Sequence, residues 1–180
     1  MKKKFWIGAL LVAAAAVVAA KSQLMLPKGA VAVKPFEKEK YLGKWYEIAR
    51  MDFKFERNMN NVTASYSLND NGYIRVVNRG YETVKKEWKE AVGKAKFSGS
   101  PDEARLKVSF FGPFYAAYNV IALDDQYKYA LVCGKNLTDL WILSRETTIP
   151  EEITQKYLDL AQKIGFDTSE LIWVEHNSQQ

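Results

Sequence analysis

Between Trp45 and Arg145 the chain runs through short neighbouring segments of strand-like alternation with no long crossover between them. Parallel neighbours need a connection of about a dozen residues or more, so short polar turns between strands suit antiparallel neighbours. Trp45 opens the first segment. Val62–Leu68, Gly72–Tyr81, Glu87–Ser98, Ala104–Phe110, Tyr115–Leu123, Tyr127–Cys133 and Leu140–Ser144 complete eight strands. Asn69-Asp-Asn-Gly72 is a strong hairpin turn, and Gly93 predicts a bulge or bend in the fourth strand. Eight such strands suit an all-β, up-and-down antiparallel barrel, and the pattern alone leaves a two-sheet sandwich open. Closure would make the first and last strands neighbours. Arg145 can then lie on the face of Trp45, a contact worth roughly 0.5–2 kcal/mol. Gly43, lacking a Cβ, lets the backbone turn tightly or pass close to another segment.

After Arg145 the period changes. Thr148 and Glu151 make a capping box with Pro150 inside the first turn. Ile153, Tyr157, Leu160, Ala161 and Ile164 recur at helical spacing, and Gly165 is the expected stop. One C-terminal helix should bury that stripe on the outside of the barrel. Leu171–Val174 reads as a short closing strand, and residues 176–180 as a frayed tail.

The opening residues read as an address. Met1–Lys4 is basic, and Phe5–Ala20 is unbroken apolar sequence, short of the roughly 20 residues of a membrane span. Val18 and Ala20 fit the −3 and −1 positions of a signal-peptidase site, so residues 1–20 read as a signal peptide cleaved before Lys21. A retained short anchor is the rival reading. Residues 21–35 read as a leader, followed by one domain over 36–175. A lipoprotein signal needs a cysteine where Lys21 stands. The sole cysteine is Cys133, so acylation at this terminus and an internal disulfide are both excluded for this sequence. Of 26 Lys and Arg, three are Lys2, Lys3 and Lys4, which leaves 23 against 21 Asp and Glu in the remainder. The charges are interspersed, and nothing calls for a nucleic-acid partner.

Longer strings carry a resemblance. Gly43-x-Trp45, a turn centred on Asp125, and Arg145 before a single helix resemble the three signature regions of the lipocalins. Tyr41-Leu-Gly-Lys-Trp-Tyr-Glu-Ile-Ala-Arg50, Lys107-Val-Ser-Phe-Phe-Gly-Pro-Phe114, Tyr118-Asn-Val-Ile-Ala-Leu123, Ala130-Leu-Val-Cys-Gly134 and Trp141-Ile-Leu-Ser-Arg145 resemble the bacterial outer-membrane subgroup. Two features depart from it. The middle signature reads Asp124-Asp125-Gln126 with Tyr127 one place late, and the lipid-bearing cysteine is missing.

The resemblance implies an eight-stranded cup with a lipid site inside. It adds peripheral association with the cell-envelope membrane and, by analogy, a homodimer. Alternation from Trp45 and Arg145 places Ala64, Tyr66, Val76, Asn78, Val108, Phe110, Asn119, Ile121, Ala130, Val132 and Trp141 in the lumen. Without the resemblance these side chains would be read as barrel filling. With it they line a cavity for a fatty acid or lysophospholipid, and Lys54 and Arg57 lie toward the mouth as candidate headgroup contacts. Glu47 shares the parity of Trp45 and is given no role. His176, the only histidine, lies in the tail, and Cys133 points outward, so no catalytic residue, metal ligand or cofactor site is expected. A lipid carrier leads, ahead of an isomerase-like enzyme on the same fold and an interaction module with a filled barrel.

Overall fold

The computed structural model describes residues 25–177. The expected signal or anchor and its cleavage point before Lys21 lie outside the described residues. A short helix α1 (Lys38–Tyr41) precedes eight strands: β1 (Gly43–Arg50), β2 (Met59–Leu68), β3 (Ile74–Glu82), β4 (Glu87–Phe97), β5 (Arg105–Ser109), β6 (Ala116–Leu123), β7 (Tyr129–Cys133) and β8 (Leu140–Ser144). Helix α2 (Glu151–Ile164), a 3-10 turn (Thr168–Glu170) and β9 (Ile172–Trp173) follow. Each of β1 to β8 pairs antiparallel with the next, and β8 pairs back onto β1. The sheet closes as a barrel, and the sandwich alternative falls.

The wall separates two apolar clusters. Trp45, Tyr66, Val76, Leu106, Val120 and Val132 belong to the inner one. Ile48, Leu131, Cys133 and Ile142 lie in the outer one beneath α2, which contributes Tyr157 and Ala161. Directly paired residues share a face, so register decides which cluster a side chain joins. A register shift between Glu47 and Ala49 sends both Ile48 and Ala49 to the outer cluster. A bulge of this kind lets two successive apolar residues face the same side of a strand.

The first strand has two partners on one edge. Its pairing with β2 runs from Gly43↔Tyr66 to Tyr46↔Thr63. Beyond that point β9 takes over, with Ala49 opposite Trp173 and Arg50 opposite Ile172. The amide of Val174 donates to Ile48 O at 2.9 Å, and Asn61 N donates to Glu175 O at 2.8 Å. His176 Nε2 bonds Glu47 O at 2.8 Å, and Asn177 N donates to Asn61 Oδ1 at 2.8 Å. The expected frayed tail is therefore ordered through Asn177, because it bridges the gap where β1 and β2 part. Similarly, the expected leader is bonded into the barrel: Val33 N donates to Val120 O, and Ala104 N donates to Val33 O.

Two local expectations are corrected. Pro150 is the N-cap of α2, and no side chain caps that end. Thr148 instead accepts the Ser144 hydroxyl on its carbonyl, so the capping box does not form. The helix start relies on Glu151 and Glu152 in its first turn, where carboxylates complement the helix dipole. At the other end Gly165 sits at φ +112°, and its amide and that of Phe166 both reach Ala161 O.

Gly93 does not bend β4, which runs unbroken opposite Val76. It makes room for a ring: a Cβ there would lie 2.7 Å from Phe110 Cδ1 and 2.7 Å from Ser109 O. Gly93→Ala should therefore destabilise the barrel by about 1–3 kcal/mol, as overpacking against backbone does. A urea titration checks this, and an unchanged midpoint would show that the β4–β5 spacing yields freely.

Candidate ligand cup

The floor is built from the anchor residues outward. Gly43 adopts φ +95°, and a Cβ there would lie 3.3 Å from Arg145 Nη1, so the position suits glycine on both counts. The Arg145 guanidinium lies 3.9 Å from the centre of the Trp45 ring. It also donates to the carbonyls of Lys40, Tyr41, Leu42, Lys44 and Tyr127 at 2.8–3.2 Å. Trp45 Nε1 donates to Tyr41 O at 2.8 Å. The expected pairing thus forms, and it ties α1 across the closed end.

Asp125 does not organise the β6–β7 turn; it is exposed. The neighbouring Asp124 does so, accepting from the amides of Gln126, Lys128 and Tyr129. A carboxylate bonding its own following amides is the ordinary chemistry of such turns.

Above the floor three buried phenols meet. Tyr66 donates to the Tyr118 hydroxyl at 2.9 Å, and the Tyr41 and Tyr118 hydroxyls lie 2.7 Å apart. Burial pushes all three phenols well above their ordinary range, so they stay neutral. Phe36, Tyr41, Tyr66, Leu106, Val108 and Tyr118 enclose a cavity of about 10 Å³. That is room for about one water, so a larger solute must turn side chains aside.

Ala64, Tyr66, Val76, Val108, Phe110, Ala130, Val132 and Trp141 all pack in the inner cluster. Asn78 pairs with Ala64 and so shares its face; its Oδ1 is buried without a partner. Asn119 and Ile121 do not face the lumen. Asn119 pairs with Cys133 and donates to Met25 O at 2.8 Å, while Ile121 joins the outer cluster. Alternation cannot be carried across the loop from Phe110 to Tyr115. Register can: Leu106 pairs with Tyr118, so Tyr118 and Val120 are the inward residues of β6. A bulge between Val120 and Ala122 then turns Ile121 and Ala122 outward together.

Toward the mouth the lumen turns charged. Arg50 and Glu47 are both buried, with Arg50 Nη1 donating to Glu47 Oε1 at 2.8 Å. Arg50 Nη2 reaches Glu56 O at 2.5 Å, and Trp141 Nε1 donates to Glu56 Oε2 at 3.2 Å. The β1–β2 loop is thereby latched over the lumen, with the Phe53 ring against Trp141 at 5.8 Å. Burial of two carboxylates beside one guanidinium raises their affinity for a proton. Sequence offered part of this cluster, since Glu47 shares the parity of Trp45, but no sign of Arg50 or Glu56, because charged residues on a strand or loop read as solvated.

Of the two mouth cations, one is already engaged. Arg57 is engaged by Asp52 at 2.7 Å on the surface, and Lys54 lies 4.7 Å over the Phe55 ring. Cys133 is fully buried in the outer cluster, where burial pushes its thiol up to about 12. Among the described residues no three His, Cys, Asp or Glu side chains could hold a metal ion.

A family model described as a lipocalin-like domain matches residues 36–176. The outer membrane lipoprotein Blc of Citrobacter freundii is 52% identical over 164 residues, covering 91% of this chain and 93% of the relative. Mouse apolipoprotein D is 33% identical, covering 76% of this chain and 75% of its own length. Among solved structures, insecticyanin from the tobacco hornworm Manduca sexta superposes with a TM-score of 0.68 at 20% identity, over 83% of this chain and 85% of that one.

Proposed function

The chain belongs to the lipocalin family, and from that premise we propose that it binds fatty acids or lysophospholipids in the barrel lumen. Its role would be to store or carry lipids during maintenance of the cell-envelope membrane under stress. One observation carries the reading: the interior between floor and mouth is walled by apolar and aromatic side chains from most of the strands. The acyl chain enters tail first, past Phe110 and Trp141, toward the tyrosines at the floor. Each buried CH₂ contributes about 0.8 kcal/mol, so the chain supplies the affinity. Against this stands the cost of moving Tyr41, Tyr66 and Tyr118 aside, since the cavity left by these side chains is narrow. A charged head left unpaired at the floor would cancel much of the gain, so it stays at the mouth. Lys54 is available there, whereas Arg57 would first have to leave Asp52.

Titration of delipidated protein with lysophospholipids and fatty acids of graded length, followed by Trp fluorescence, should show affinity rising steeply with chain length and depending weakly on salt. Trp141→Asp should abolish it. Affinity indifferent to length, or surviving that charge, would overturn the lumenal site.

The protein acts as a binder rather than a catalyst in this reading. Its cysteine faces the helix side, and its only histidine is bonded to the Glu47 carbonyl. We place it in the cell envelope, exported and without acylation, in contrast to the relatives named as lipoproteins. The sole cysteine is buried, and Lys21 stands where the lipid-bearing residue would be. An intact mass of the exported protein that carries an acyl group would refute this. The homodimer stays a proposal by family analogy.

A further inference from the structure

The open rim carries the largest exposed apolar side chains of the strand connections. Phe111 is 69% exposed, Phe114 79%, Val84 70% and Phe55 56%. They come from three connections at one end of the barrel. The Phe55 and Phe111 rings lie 6.2 Å apart, and Thr83 N donates to Asn58 O at 2.9 Å. The β5–β6 loop is held with its phenylalanines outward: Ser109 Oγ donates to Gly112 O at 3.0 Å, and Gly112 sits at φ +57°. None of the exposed large hydrophobics lies in the three turns at the closed end, residues 69–73, 98–104 and 124–128.

Charge follows the same axis. The rim connections carry Lys54, Arg57, Lys85, Lys86 and Lys135 against Asp52, Glu56 and Asp139. Of those carboxylates, Asp52 is engaged by Arg57, and Glu56 is taken up by Trp141 inside the mouth. The closed-end turns carry Asp70, Asp102, Glu103, Asp124 and Asp125 against Lys128 alone. The rim connections are therefore apolar and basic, with Lys85 lying 3.7 Å from Glu82. The closed-end turns are acidic, and the adjoining segment and α1 set Lys34, Lys38 and Lys40 against Glu37 and Glu39.

We propose that the open rim docks on a bilayer containing anionic phospholipid, with Phe55, Phe111, Phe114 and Val84 entering the interface and Lys85 and Lys86 against the headgroups. Three rings and a valine on separate tips offer a few hundred Å² of apolar area, below the ~800 Å² per partner of a stable protein interface. Small apolar tips ringed by lysines suit a lipid surface instead, where apolar burial and attraction to anionic headgroups act together. Docking this way turns the mouth of the cup to the membrane and the closed end with its acidic turns away. The proposal goes beyond the lumenal reading and stands on rim residues alone.

The test places a polarity-sensitive dye on Val84→Cys at the rim and, separately, on Asp70→Cys at the closed end; Cys133 is buried and stays unlabelled. Vesicles of phosphatidylcholine with phosphatidylglycerol should blue-shift the rim dye and leave the closed-end dye unchanged. Apparent affinity should fall about tenfold or more in Phe111→Ser/Phe114→Ser. High salt, pure phosphatidylcholine vesicles and Lys85→Glu/Lys86→Glu should each weaken the response. No shift at the rim, an equal shift at both ends, or a rim shift that needs only more protein and no vesicles would overturn the proposal. The last outcome would assign the rim to a second copy of the chain. Soluble lysophospholipid titrated into the same rim variants should bind as in the parent. Loss of chain-length dependence in that titration would count against the lumenal reading without touching the vesicle result.

Discussion

Arg50→Ala is expected to cost the barrel about 3–5 kcal/mol, because it leaves a buried carboxylate without its counter-charge. Arg50 is 2% exposed and Glu47 5%, so water cannot take over the lost contact without entering the lumen. The same guanidinium holds the β1–β2 loop through Glu56 O and Met59 O. The loop should therefore loosen along with the stability loss. Glu47→Leu/Arg50→Met, which removes both charges and restores apolar volume, should recover most of the deficit.

The dependence on pH has a defined sign. A carboxyl whose proton affinity is raised by folding stabilises the fold fully below its ordinary range, and that contribution is lost as pH rises through the raised value. Burial raises both Glu47 and Glu56. The Arg50→Ala deficit should accordingly be largest near neutral pH and shrink toward pH ~4.5, where protonation neutralises the stranded carboxylates. Burial lowers His176, which contributes with the opposite sign, so its protonation on acidification favours unfolding. Comparing variant with parent at each pH cancels that contribution. Urea midpoints measured across this range would decide it, and a deficit that grows on acidification would show that Arg50 does not compensate these carboxylates.

Arg145→Ala should cost about 2–4 kcal/mol, combining the stacking on Trp45 with charge-assisted bonds to backbone carbonyls, part of which water replaces. Five carbonyls lose the Arg145 donor at once, four of them between Lys40 and Lys44, and Tyr41 O keeps a second one from Trp45 Nε1. Arg145→Lys should rescue little. An ammonium has three donors and no planar face to lie on the indole. Thermal melts give the magnitude, and amide exchange at residues 36–42 should accelerate far more than at β4 or β5. Uniform acceleration would mean that Arg145 supports the whole wall rather than the floor.

These residues also show where sequence was readable. Trp45, Arg145 and Gly43 were legible because the chemistry of each is satisfied by the others once the sheet closes. The eight strands were legible because their turns punctuate them. The face of β6 was not. Tyr118, Val120, Ile121 and Ala122 are all apolar or aromatic, since that strand is covered by the lumen on one side and α2 on the other. With both faces buried, alternation disappears, and only the pairing of Leu106 with Tyr118 fixes the phase. Arg50, the partner of the inward-reading Glu47, was hidden for a different reason. Their three-residue spacing would put them on opposite faces of a regular strand, and the register shift at Ile48 brings both to the same side. Asp124 was passed over for Asp125 because two adjacent aspartates offer one pattern and two phases.

The stitching of Val174, Glu175, His176 and Asn177 between β1 and β2 has a consequence for the order of events during synthesis. β1 emerges first among the strands, yet half of one edge stays unpaired until residues near Trp173 have been made. Its other edge waits for β8. Hairpins from β2 to β7 can assemble as they appear, but the first strand is held in suspense until the far end of the domain arrives. Such long-range closure is slow relative to local pairing. A chain that folds this late stays extended and threadable until nearly the whole domain has been made, and it becomes a vessel only at the end.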